Sequence, residues 1–141
     1  MKVEIVRCPD SEEATIEQLT DLAPYIDAMW TDNDIAIHGE LDFAMDMWLF
    51  LWQSGHGLYL KLTEGSLIVG VVIATLSTCL WSGKTRLDIH RYVVKDGDVA
   101  ILTKLTDYLI NNASLLGFDE LYLSKRSLEG HEIKELIWRT H

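Results

Sequence analysis

Asp88 and His90, two positions apart in "RLDIHRYVV" (86–94), are residues whose types could do chemistry. A strand alternates its side chains, so both would face one side, and a carboxylate beside an imidazole is a general-base pairing. The same pairing is frequent on solvated strand faces. Next along the chain, "YVVKDGDVAILTKL" (92–105) runs from a β-branched strand through a short loop into an amphipathic helix. Such a junction aims free backbone N–H groups and the helix dipole outward, an arrangement that holds phosphates. Here Lys95 is the sole nearby cation, and Asp98 suits the N-cap of a helix that starts at Val99. The five histidines, His38, His56, His90, His131 and His141, form no i, i+4 pair, and Cys8 and Cys79 lack metal-type spacing, so no metal site is expected. Ser-His-Asp spacing, a paired-carboxylate motif and a basic–aromatic stripe are all missing from the sequence.

The elements that must position these residues follow from hydrophobic period. "VEIVR" (3–7) alternates as a strand, and "DSEEATIEQL" opens a helix capped by Asp10 or Ser11. Pro24 lies within that helical pattern and predicts a kink or a break. Residues 31–42 read as a loop, and "FAMDMWLFLWQS" (43–54) as a second helix ended by Gly55. "GLYLKLT" (57–63) and "LIVGVVIATLS" (67–77) make a hairpin, with Gly70 marking a bulge or a close backbone approach. A third antiparallel strand spans 86–94. A helix follows from about Asp98 to Leu115, its stripe formed by Ile101, Leu102, Leu105, Leu109, Ala113 and Leu116. "DELYLSK" (119–125) is a short strand, and "SLEGHEIKELIWRT" (127–140) is read as a last helix. The strand–helix–strand unit over 86–124 requires a parallel pair crossed right-handedly.

With 141 residues, 48% of them apolar, the sequence predicts one domain over 1–141 with a real core. Twenty-two acidic against 12 basic side chains give a net charge of −10, which opposes docking on nucleic acid or anionic membrane. "MKVEIVRCPD" lacks the apolar stretch of a signal peptide, and "MWLFLW" and "LIVGVVIATL" are too short to cross a bilayer. A cytoplasmic protein with reduced, buried cysteines is expected, with a single disulfide as the alternative.

This order of elements, with "LIVGVVIA", "YVV" and "LLGFDELYLS", resembles the GNAT acyltransferase fold over roughly residues 3–125. Val69–Gly70–Val71, Tyr92–Val93–Val94, and Gly117–Phe118 through Leu121–Leu123 carry the resemblance. Small acidic GNAT-like proteins of tailed bacteriophages are similar in the stretch before the first hairpin, which would place the chain in a host cytoplasm or a virion. The resemblance implies an α/β (α+β) fold: a mixed, mostly antiparallel sheet with helices on both faces. It also implies an acetyl-CoA site where strands 86–94 and 120–124 splay. Backbone groups of Val93 and Val94 would face the thioester, and the turn at Gly97, Val99 and Ala100 would face the pyrophosphate. The sequence departs from the family there. Gly97 stands where a basic residue is usual, Asp98 where a close-approach glycine is usual, and the loop is shorter. The final helix lacks the family's tyrosine acid, and the last two strands are expected to be missing, leaving strand 120–124 as an edge. Proton donors or acceptors would then come from Glu120, Asp88, His90, Ser124 or His131.

Helix 43–54 is apolar nearly all round, so both of its sides need cover. Cover by the 31–42 loop or the first helix, an interface through Met47, Trp48 and Trp52, and an aromatic wall for a substrate are three readings of it. The leading functional expectation is a GNAT-like protein that has lost efficient acetyl-CoA binding, needs no cofactor, and acts on a protein partner or as a homo-oligomer. The alternatives are an acetyl-CoA-dependent N-acetyltransferase acting on an amine, and a small-molecule binding module.

Overall fold

The computed structural model describes residues 1–29, 41–126 and 132–140, and its six strands form one sheet in the order β1-β2-β3-β4-β5-β6. Along the chain these are β1 (Lys2–Val6), α1 (Glu12–Met29), α2 (Leu41–Gln53), β2 (Gly57–Glu64), β3 (Leu67–Thr78) and β4 (Thr85–Val94). They are followed by α3 (Val99–Asn111), the single turn α4 (Ala113–Leu116), β5 (Glu120–Arg126) and β6 (Glu132–Arg139). Only β4 and β5 pair in parallel; every other neighbouring pair is antiparallel. The crossover through α3 supplies the length a parallel pair requires. The result is the expected mixed sheet with helices on both faces.

Two apolar layers result from strand alternation. Leu58, Leu60 and Leu62 of β2, Val72 and Ala74 of β3, Leu87 and Ile89 of β4 and Leu121 of β5 are buried under Ile101, Leu105 and Leu109 of α3. On the opposite face Tyr59, Val71 and Ile73 are buried with Leu22 of α1 and Trp48 and Trp52 of α2. Two bulges adjust this alternation. Val69 is the unpaired extra residue between the Leu62–Gly70 and Thr63–Ile68 pairs, and it joins the α3 layer. Gly70 beside it eases a tight approach: a Cβ there would lie 3.2 Å from the Val93 carbonyl oxygen and 3.3 Å from Val94 Cγ1. The second bulge, in β4, makes His90 the extra residue between the Ile89–Ala74 and Arg91–Ile73 pairs.

Two expectations need correction. α1 is one continuous helix through Pro24, because both Pro24 and Thr20, whose carbonyl the proline cannot bond, lie on its solvent side. Residues Glu132–Arg139 form a strand where a helix is expected, so β5 is not an edge, and one strand follows it. The physical reason is tertiary. β5 offers a free ladder, Ile133 and Ile137 are β-branched, and Trp138 packs edge-on against Phe118 with ring centroids 6.0 Å apart. The 31–40 stretch of the expected loop and the candidate proton donor His131 lie outside the described residues.

Candidate functional site

The β4–β5 ladder is short. It joins Arg86–Ile89 to Glu120–Leu123 and stops, while β4 continues to Val94 and β5 to Arg126. Beyond Ile89, β4 keeps β3 on one edge and has no strand on the other among the described residues. Val93 and Val94 lie on this stretch, paired with Val71 and Gly70. The expected parting of the two strands is therefore present at the expected residues.

Register gathers the polar groups. Leu87, Ile89 and Leu121 point into the α3 layer, so Arg86, Asp88, Glu120 and Tyr122 take the opposite face. Arg86 is level with Glu120, and Asp88 is level with both Thr75 and Tyr122. The Asp88 carboxylate is buried, at 2% exposure. Its Oδ2 is 3.5 Å from Lys134 Nζ of β6, and its Oδ1 has no hydrogen-bond partner among the described residues. Glu120 is also buried, and its Oε2 accepts a 2.8 Å hydrogen bond from the Tyr122 hydroxyl. That bond holds the Tyr122 hydroxyl above its ordinary pKa, with burial adding to the effect. The Arg86 guanidinium sits 5.2 Å over the Tyr122 ring. Ser124 is level with Lys134, and its buried Oγ has no hydrogen-bond partner among the described residues. Thus three of the four proton-transfer candidates among the described residues, Asp88, Glu120 and Ser124, share one strip of sheet.

His90, the fourth, lies on the same face as Asp88, and its Nε2 is 2.7 Å from Thr75 Oγ1. It lines a cleft of about 570 Å³ with Leu51, His56, Thr85 and the end of β3. Arg86, Tyr122, Thr75 and Lys134 were not singled out from sequence. Alternation along 86–94 and 120–124 points to Arg86 and Tyr122. No local signal points to Lys134, which enters only because residues 132–139 form a strand.

The loop expected to face a pyrophosphate has a definite conformation. Lys95–Gly97 form one 3₁₀ turn, in which Asp96 (φ 56°) and Gly97 (φ 63°) are both left-handed. Asp98 is the N-cap of α3: its Oδ1 accepts from the Ala100 N–H at 2.9 Å, and its carbonyl accepts from Ile101 N at 3.1 Å. An open recess of about 520 Å³ lies here, bordered by Glu64, Lys95, Asp96, Asp98, Ala100 and Lys104. Two lysines face three carboxylates, and the amide of Ala100, one of the first free N–H groups of the helix, is already taken by an anion belonging to the chain. A diphosphate seated on that amide would have to displace the carboxylate and then sit beside it.

Trp48 and Trp52, read as interface candidates, are core residues. Both pack edge-on against Tyr59, at 5.1 and 5.2 Å, and Trp52 Nε1 donates to the Val6 carbonyl at 3.0 Å. On the same helix Met47 and Phe50 are exposed.

Comparison with family models and with curated protein sequences returns no match. Solved structures do match. A ribosomal-protein-alanine N-acetyltransferase from Brucella melitensis biovar Abortus 2308 superposes with a TM-score of 0.59 at 16% identity, over 87% of this chain and 79% of that one. An aminoglycoside acetyltransferase from an uncultured soil metagenomic sample, in complex with sisomicin, gives 0.60 at 15% identity, over 91% and 79%. A GNAT family acetyltransferase from Staphylococcus aureus gives 0.57 at 12% identity, over 100% and 98%. At these identities the likeness establishes the fold and nothing finer.

Proposed function

We propose, from the premise that this chain has the GNAT acetyltransferase fold, that it works through protein contacts and has a coenzyme turn unfit for acetyl-CoA. The observation that carries this reading is the Asp98 carboxylate closing the N-terminus of α3 on the Ala100 amide. The field of a molecule with net charge −10 adds to the repulsion of a polyanionic coenzyme. Isothermal calorimetry with acetyl-CoA at low salt is the test. Binding no tighter than millimolar, about −4 kcal/mol, is expected, and micromolar affinity overturns the reading.

A second reading, an acetyl-CoA-dependent N-acetyltransferase acting on an amine, is favoured by Asp88. Its buried carboxylate, with one oxygen unpartnered among the described residues, lies where β4 and β5 part. Thiol release from acetyl-CoA in the presence of an amine, lost in Asp88→Asn, would support that reading over the first. Among the described residues no helix is long and apolar enough to cross a membrane, and the contacts of the first reading are with another protein or another copy of the chain.

A further inference from the structure

The link between β3 and β4 carries Leu80 and Trp81, 97% and 98% exposed. They are not the loose end of a floppy loop. Cys79 N donates to the Lys84 carbonyl at 2.9 Å and Gly83 N to the Cys79 carbonyl at 2.8 Å, so the turn is closed and the two side chains are displayed on a fixed support. A preorganised apolar tip loses little freedom when it docks.

Directly beside this turn, at the turn end of the β3–β4 ladder, lies the cleft of about 570 Å³, walled by Leu51 and His56, by residues 75–78 of β3, and by Thr85 and His90 of β4. Its surface is mostly carbon, and among the described residues no lysine, arginine or carboxylate side chain lines it. We propose that the Leu80–Trp81 tip of one copy seats in this cleft of a second copy, and reciprocally, forming a two-fold dimer. Tip and cleft belong to one hairpin, so a single rotation lets each copy give and receive, and the assembly closes at two.

Charge selects the second copy as the occupant. From Gly65 to Leu87 the sequence has no Asp or Glu, in a chain with 22 acidic residues, and its charged side chains there are Lys84 and Arg86 alone. Asp119 abuts the turn through Thr85, and Lys84 and Arg86 offset its charge, so two strongly acidic molecules can approach here with little added repulsion. Two tips and the walls that receive them would bury on the order of 1,200 Å², the lower bound of a specific interface, and a micromolar dimer is expected.

This inference rests on the protein-contact reading above and names its partner. The two fail separately, because acetyl-CoA binding would overturn that reading without touching the assembly. The experiment is sedimentation equilibrium from low to high micromolar protein. Wild type is expected to dimerise, and Trp81→Ser or Leu80→Ser to raise the dissociation constant roughly tenfold or more with an unchanged circular dichroism spectrum. Ser77→Tyr, which fills the cleft from an exposed position, should weaken self-association equally. Mixing Ser77→Tyr with Trp81→Ser should recover a heterodimer held by one intact tip in one intact cleft. A chain monomeric throughout, or a dimer indifferent to both tip substitutions, overturns the proposal. So does tip-dependent binding to phosphatidylcholine–phosphatidylglycerol vesicles without self-association.

Discussion

Asp98 does two things with one carboxylate: it caps α3 and occupies an amide that an anionic ligand would need. Replacing it with glycine costs only a few tenths of a kcal/mol as a cap, so Asp98→Gly should stay folded. Its acetyl-CoA affinity should rise roughly tenfold, about 1.4 kcal/mol; a calorimetric titration that matches wild type would mean the obstacle lies elsewhere. A second residue-scale expectation concerns Cys79. A hydrogen bond from the Ser82 side chain, aided by the backbone of Ser82 and Trp81, brings its thiol down to about 7 from the ordinary 9.0. The donors favour the thiolate, so alkylation by iodoacetamide should accelerate up to about pH 7 and then level off. In Ser82→Ala the plateau should move to higher pH, and an unshifted profile would rule out the hydroxyl as the cause.

The lesson of α2 lies in which of its faces is buried. Its tryptophans form a T-shaped pair of contacts on Tyr59, and Trp52 also ties down β1 through the Val6 carbonyl. Trp52→Ala should therefore cost about 3–5 kcal/mol in urea unfolding. Tyr59→Phe should be neutral or stabilising, because the buried Tyr59 hydroxyl and the nearby Trp48 indole N–H do not reach good hydrogen-bond geometry. Burial pushes the Tyr59 hydroxyl well above its ordinary value of 10.0. A group raised in the folded state contributes fully below its unfolded value, and that contribution is lost as pH climbs beyond it. Wild type should thus lose stability above about pH 10 more steeply than Tyr59→Phe. Equal slopes would assign the alkaline loss to other groups. Element by element, the α3 stripe and the β2–β3 hairpin were readable from period alone. β6 was not, since eight residues with apolar positions at 133, 136, 137 and 138 satisfy a helix about as well as a strand.

Across the whole molecule, a charge of −10 sets the sign of salt effects. Two copies repel over a screening length of about 10 Å at 0.1 M salt, while contact between an apolar tip and an apolar cleft is not screened. Raising sodium chloride should therefore tighten self-association. Weakening by salt in sedimentation runs would point instead to ion pairs across the contact. The candidate site was legible in its parts and illegible in its assembly. Asp88, Glu120 and Ser124 were each noticed from sequence, but their common face, the Tyr122–Glu120 bond and the approach of Lys134 depend on which rung of β5 meets which rung of β4 and β6.

By itself the sequence determined the element order through β5, the two-sided helical cover, and the acidic cap at the start of α3. These follow from periodicity and capping, which act over a few neighbouring residues. Only the tertiary structure decided that the last segment is a strand, that β4 and β5 part after Ile89, and which tryptophans reach water. Those outcomes depend on pairing and burial between residues far apart in the chain. Local pattern carries no record of the partner.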